Sequence, residues 1–313
     1  MMLTLTTFRA LDRRLMATLA LMLAALGVAA VGLTVDPRLI TGAPAWLKPA
    51  KFAVSTIIYT LTLAWVFTYL PEWRRTRNFV AWTTAAVFAF EILVIDVQAW
   101  RGTSSHFNVS TPLDAVLFST MGAAILAQTI SSVWVAVALW RQRFADEALG
   151  WALRFGMIIT IAGALSGGLM TRPTAAQLEM ARATHTMTAA GAHTVGAPDG
   201  GAGVPVTGWS RAHGDLRIGH FVGLHALQIL PLLALILRRR RAVIIGAASY
   251  AALFVLLLWQ ALRGESFFAP SALTLIVFAA WGAATAAALE HSRTPLSGEA
   301  TASRPPSPMW IHR

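Results

Sequence analysis

The sequence predicts an all-α fold, a polytopic transmembrane helix bundle of about eight spans, on three observations. The 313 residues are 56% apolar and only 12% charged, with a mean hydropathy of +0.61, which is too apolar for a soluble domain. Apolar runs near the roughly 20 residues that cross a bilayer recur along the chain. The basic residues fall in short clusters between alternate runs, so the net charge of +11 reads as membrane topology and not as a nucleic-acid surface. Having no cysteine, the chain has no disulfides, thiolate metal sites, iron–sulfur clusters or cysteine nucleophile.

The elements follow in order. Residues 1–14 form an N-terminal tail with Arg9, Arg13 and Arg14, and the run after it, 15–35, is longer than the roughly 7–15 residues of a signal-peptide core. It is therefore expected to stay as the first span. Spans two to five fall at 53–70, 79–98, 113–140 and 151–171, closing a first block of 15–171; the fourth is long enough to tilt. The connection 172–217, rich in Gly, Ala and Thr (TAAGAHTVGAPDGGAGVPVTG), is expected to be a flexible outer loop. Spans six to eight lie at 218–237, 242–262 and 271–290, within 218–290. The segment 291–313, with SRTPLSGEATASRPPSP, reads as a disordered cytoplasmic tail.

Alternate connections set the orientation. The N-terminal tail, the 71–78 loop (Arg74, Arg75, Arg77), the 141–154 turn (Arg141, Arg143, Arg154), Arg238 to Arg241 and the C-terminal tail together carry sixteen of the 25 basic residues. The positive-inside rule then places both termini in the cytoplasm and the chain in the cell (cytoplasmic) membrane, with the lipid bilayer as its first partner and no nucleic acid.

Polar residues inside spans are costly and are functional candidates by default. The third span carries Glu91, Asp96 and Gln98; the sixth, GDLRIGHFVGLHALQILP, carries His220, His225 and Gln228 before turning apolar at Pro231. At about 1.5 Å per residue, Asp96 and His220 lie about 3 Å from the outer helix ends, and Glu91 and His225 about 10 Å in. Glu91, Gln98, His225 and Gln228 are expected to form the deeper set, with Pro231 freeing the Leu227 carbonyl. Outer connections add Arg101, His106 and Asn108, together with Lys48 and Lys51 before the second span. Asp215 is expected to cap the sixth helix, with Arg217 beside it.

These residues point to an outward-facing His/carboxylate pocket between the third and sixth spans, roofed by residues 99–112 and 172–217. In one reading it is a metal-dependent membrane enzyme acting on a lipid or small molecule. His106, His220 and His225 would hold zinc or iron, Glu91 and Asp96 would do acid–base work, and Gln98, Arg101, Asn108, Arg217, Gln228, Lys48 and Lys51 would hold substrate. The alternative is a proton-coupled transporter or a small-molecule-binding or sensing membrane protein. A haem with two axial histidines is disfavoured, since no other span interior contains a histidine.

At RGTSSHFN (101–108) and GDLRIGHFVGLHALQ (214–228), and at Lys48-Pro49-Ala50-Lys51-Phe52, the chain resembles a family of uncharacterised bacterial polytopic integral membrane proteins. The resemblance implies a bacterial membrane location and a multi-span helical fold, and brings no activity.

Overall fold

Helix α1 (Arg13–Val35) begins where the Asp12 carboxylate accepts the Arg14 backbone N–H, and it ends at Asp36 in extended backbone. The same two-residue clip occurs at Asp12–Arg14, Asp36–Arg38 and Asp215–Arg217. Each carboxylate takes the backbone N–H and the guanidinium of the arginine two residues on, at 2.6–3.1 Å. Each arginine then reaches a distant segment: Arg14 to Asn78, Arg38 to the carbonyls of Ala99 and Trp100, and Arg217 to that of Gly208. An Asp-x-Arg triplet thus turns a helix end into a cross-tie.

The computed structural model describes residues 11–293. After α1, a two-residue hairpin pairs β1 (Leu39–Ile40) with β2 (Ala43–Pro44) and leads into α2 (Leu47–Phe67). Then come α3 (Arg74–Arg101), α4 (Pro112–Arg141), α5 (Glu147–Ser166), a 3₁₀ turn at Gly167–Leu169, α6 (Ala175–Thr184), β3 (Thr194–Val195) and β4 (Gly214–Asp215). The chain closes with α7 (Leu216–Leu224), α8 (Ala226–Leu237), α9 (Arg240–Leu262) and α10 (Ala272–His291). Among the described residues seven helices are long and apolar enough to cross a membrane, and α7 with α8, bent by 57°, brings the number to eight when the pair is counted as one broken span. Most of the tail expected at 1–14 and nearly all of that expected at 291–313 lie outside the described residues.

Helices α1 to α4 form one half of the bundle: α2 packs on α1 and α3, and α3 also on α1 and α4. Helix α5 joins them to a second half of α7, α8, α9 and α10. The main apolar core fills the end of the bundle that bears the arginine clusters, where Leu63, Phe67, Val80, Leu139, Leu153 and Met157 meet Leu227. Large apolar side chains such as Val31, Leu126, Leu235 and Ile276 remain exposed, as lipid-facing surfaces require.

The sixth span breaks at His225, six residues before the Pro231 expected to interrupt it. The reason is lateral. Gly163 of α5 lies against the backbone of Gly223, so close that a Cβ on either would strike main-chain atoms of the other. Thr160 then takes the Leu227 backbone N–H at 3.1 Å, and the Tyr250 hydroxyl donates to the Val222 carbonyl at 2.7 Å. Backbone groups freed by the break are satisfied by neighbouring helices, which is how a bundle tolerates a broken span.

The 172–217 connection, expected to be flexible, carries defined structure. Thr174 and Gln177 form a reciprocal cap at the start of α6. Strand β3 pairs with β4 in antiparallel register, Thr194 to Asp215, and a single bridge joins Asn108 to Ala189. Asp199 accepts the backbone N–H groups of His193 and Thr194, and the Phe107 ring packs edge-on against His193 at 4.8 Å. The connection folds onto the 99–112 loop as a roof.

Candidate functional site

The polar residues concentrate beneath this roof. Lys48 and Lys51 come from the first turns of α2, Glu91 from the middle of α3, His106 from the α3–α4 loop, His193 and Asp199 from the roof, and Arg217 from the start of α7. Lys48 is within electrostatic reach of Lys51, Arg217, Glu91 and Asp199, and His106 is within reach of Lys48 and His193. Three cations from two helices and two carboxylates from two other segments therefore share one region. Two recesses open on the surface, one at Glu72, Trp73 and Arg141 to Arg143, the other at Asp215, Leu257, Gln260 and Glu265. Neither includes Lys48, Glu91 or His106.

Most members have partners. Arg217 is held by Asp215 at 2.6 Å, Lys51 donates to the Thr207 carbonyl at 3.2 Å, and Asp199 is paired with His193 Nδ1 at 2.9 Å. Lys48, half-buried, makes no hydrogen bond or ion pair among the described residues. Glu91 is fully buried, and neither carboxylate oxygen has a protein partner.

In the roof, burial pushes the His106 imidazole well below its ordinary 6.5, and the charges of Lys48 and His193 push the same way. Burial likewise lowers His193, against the pull of its bond to Asp199. Burial raises Asp199, but the bonds from the His193 side chain and backbone outweigh it, and its carboxyl lies below the ordinary carboxylate range.

The other expected site residues divide between ties and orphans. Gln98 and Arg101 both donate to the buried carboxylate of Asp114, Gln98 at 2.9 Å and Arg101 at 2.7 Å, with Thr111 closing the network. Asn108 bonds Thr103 and Ser110 within its own loop. Gln228 donates to Thr62 of α2 at 3.1 Å. Asp96 lies about 140° around α3 from Glu91 and keeps one buried oxygen without a partner.

The pairing expected between the third and sixth spans is not made: α3 packs on α1, α2 and α4, whereas α7 and α8 pack on α5 and α9. Helix α2, with Lys48 at one end and Thr62 near the other, supplies side chains that reach both. The expected metal centre is not assembled either. His106 Nδ1 is bonded to Ser105 at 3.1 Å, His220 Nδ1 to the Gly163 carbonyl at 2.7 Å, and His225 Nδ1 to the Phe221 carbonyl at 2.8 Å. The His225 ring also stacks on Phe221 at 4.0 Å. Among the described residues no three His, Asp or Glu side chains gather as a metal ion requires. Matched depth along two helices says nothing about azimuth or adjacency, and those decided the outcome.

Sequence reasoning passed over His193 and Asp199, because a Gly-rich segment looked too mobile to place a side chain. It also missed Thr60, Thr84 and Gln128, single polar residues inside apolar runs. A signal for two of these was present: Thr84 sits seven residues from Glu91, and Gln128 fourteen from Asp114. No protein-family model, curated protein or solved structure matches the chain.

Proposed function

We propose that this chain is an integral membrane protein that binds a small anionic molecule beneath the 172–217 roof, as a carrier or a sensor. The observation behind this reading is Lys48. It is an ammonium with no partner among the described residues, set beside Lys51 and Arg217, whose charges are already directed inward by backbone carbonyls and by Asp215. A cation with no hydrogen-bond partner, beside two others, attracts a small anion. His106 and His193, neutral in the fold, supply further ring N–H or N groups for orienting such a ligand.

By the positive-inside argument the roof faces outward and both termini are cytoplasmic, in the cytoplasmic membrane. The segment between the Thr194 and Asp215 strands is tied to the cluster by the bond from Lys51 to the Thr207 carbonyl. A metal-dependent enzyme has no support in the placement of His106, His220 and His225.

Thermal unfolding of the detergent-purified protein tests this with inorganic phosphate and with succinate as probes. Either anion is expected to stabilise the wild type saturably, and Lys48→Gln is expected to abolish the effect. Equal responses in wild type and Lys48→Gln, or no response to either anion, would remove the proposal.

A further inference from the structure

Eight buried side-chain atoms have no hydrogen-bond partner among the described residues. Seven of them are oxygens, and besides Asp96 Oδ1 and Gln228 Oε1 these are Thr60 Oγ1, Thr84 Oγ1, both carboxylate oxygens of Glu91, and Gln128 Oε1. Buried polar atoms are normally satisfied, so a concentration of exceptions calls for an explanation.

The helices place Glu91, Thr84 and Gln128 on one interior line, with Thr60 on the neighbouring helix α2. Gln98 of α3 is bonded to Asp114 of α4, which sets the register of that antiparallel pair. Stepping by sevens, two turns at a time, along the buried face of α3 gives Gln98, Glu91 and Thr84; along α4 it gives Asp114, Met121 and Gln128. Glu91 is thus opposite Met121, and Thr84 opposite Gln128. Helical side chains lean toward the N-terminus of their own helix. Because α3 and α4 begin at opposite ends, Glu91 leans away from the roof and Gln128 toward it, and the two converge on the space between their levels. Helix α2 closes the third side. The Tyr59 ring meets Phe88 edge-on at 5.6 Å, and its hydroxyl bonds Ser132 and the Gln128 amide nitrogen, both at 3.2 Å. Thr60 follows it in the chain.

Two details argue that the free oxygens are arranged for a ligand. Thr56, Thr62 and Thr83 of the same helices donate to the carbonyl four residues back, as threonines in apolar helices do, whereas Thr60 and Thr84 do not. In Gln128 the amide nitrogen is engaged by Tyr59, so the atom left open is the carbonyl oxygen. What remains along the α3–α4 line is one carboxylate, one hydroxyl and one amide oxygen, with the Thr60 hydroxyl on α2. That is a hard-oxygen set of net charge −1.

The geometry points to a site for a small monovalent cation, Na⁺ or hydronium, between α2, α3 and α4 and deeper than the anion site. A divalent ion would call for more carboxylates than this. Towards the arginine-bearing end the well is closed by the apolar cluster of Leu63, Val80, Ala81 and Val135, so the ion enters from the roof side. The charged group facing Glu91 is Lys48 of α2; α4 offers Met121 at this level, and α1 offers Met22 and Ala25. A cation at Glu91 neutralises the carboxylate that Lys48 senses. Occupancy therefore couples to the anion site, and only this coupling rests on the function proposed above.

The experiment is thermal unfolding of the purified full chain in choline buffer, without added phosphate or dicarboxylate, titrated first with Na⁺ and then with acid. Glu91→Gln, Thr84→Val and Gln128→Leu are compared with wild type, the near-isosteric Thr84→Val guarding against a folding defect. Saturable stabilisation by Na⁺ over K⁺, lost in Glu91→Gln and weakened at least tenfold in apparent affinity in the other two, establishes Na⁺. No Na⁺ effect, but an acid-side transition that Thr84→Val and Gln128→Leu both displace and Glu91→Gln removes, establishes hydronium. No Na⁺ effect with an acid transition indifferent to Thr84→Val and Gln128→Leu overturns the site. Lys48→Gln separates the two proposals, since it is expected to remove the anion response while Na⁺ or acid binding is retained and tightened by the loss of a facing cation.

Discussion

The seam between α3 and α4 contains two polar stations seven residues apart, and they behave oppositely. Near the roof, the Asp114 carboxylate is buried with Gln98, Arg101 and Thr111 all donating to it. Two turns deeper, Glu91 is equally buried, and both its oxygens are without a protein partner. Both carboxylates line the seam between α3 and α4 and both are buried, yet one is a fastener and the other is open. Burial alone therefore does not distinguish a structural polar residue from one available to a ligand; the count of satisfied donors and acceptors does.

The sharpest way to break this contrast is to remove each carboxylate in turn. Asp114→Ala removes the shared acceptor of Gln98, Arg101 and Thr111 and the ion-pair partner of Arg101, and is expected to cost about 3 kcal/mol of stability. A shift in the unfolding midpoint near zero would show that the network is not a fastener. An intermediate effect is expected from the roof, whose partners titrate. His106 and His193 lie below 6.5 in the fold, so the unfolded chain binds more protons as the pH falls below 6.5. Stability present above pH 6.5 is then lost on acidification, and His106→Gln is expected to flatten that loss. Midpoints at pH 7.5 and pH 5.5, compared between wild type and variant, give the answer, and an unchanged slope would count against it. The smallest effect is expected at Glu91. With no bonds to lose, Glu91→Gln is expected to change stability by less than about 1 kcal/mol, in either direction. A loss as large as that of Asp114→Ala would mean that Glu91 is also a structural residue.

The helices were readable because hydropathy reports composition along a line, and a membrane-crossing run needs only its own residues to declare itself. The run at 218–237 was readable as a span on the same ground, but its break was not. Pro231 carried the local signal, whereas the bend falls at His225, where Gly163 on another helix approaches Gly223. The site was legible only in part. Glu91 and Lys48 stood out as charges in apolar surroundings, and both lie beneath the roof. The partners expected for Glu91, namely His225 and Gln228, did not come with it, because depth in a helix is a one-dimensional quantity and contact is not. Thr84 and Gln128 were unremarkable until Gln98 and Asp114 set the register of α3 against α4.

The amino-acid sequence by itself determined the all-α class and that the chain holds seven to eight long apolar helices. The three Asp-x-Arg clips, at both ends of α1 and at the start of α7, are likewise local, since each depends on residues no more than a few positions apart. Tertiary structure decided which helices are neighbours, where the sixth span bends, how the Gly-rich connection folds into a roof, and which buried oxygens stay open. The physical reason is range: hydropathy and capping act within a turn or two of helix, whereas the satisfaction of a buried polar atom depends on an atom that another helix delivers from tens of residues away.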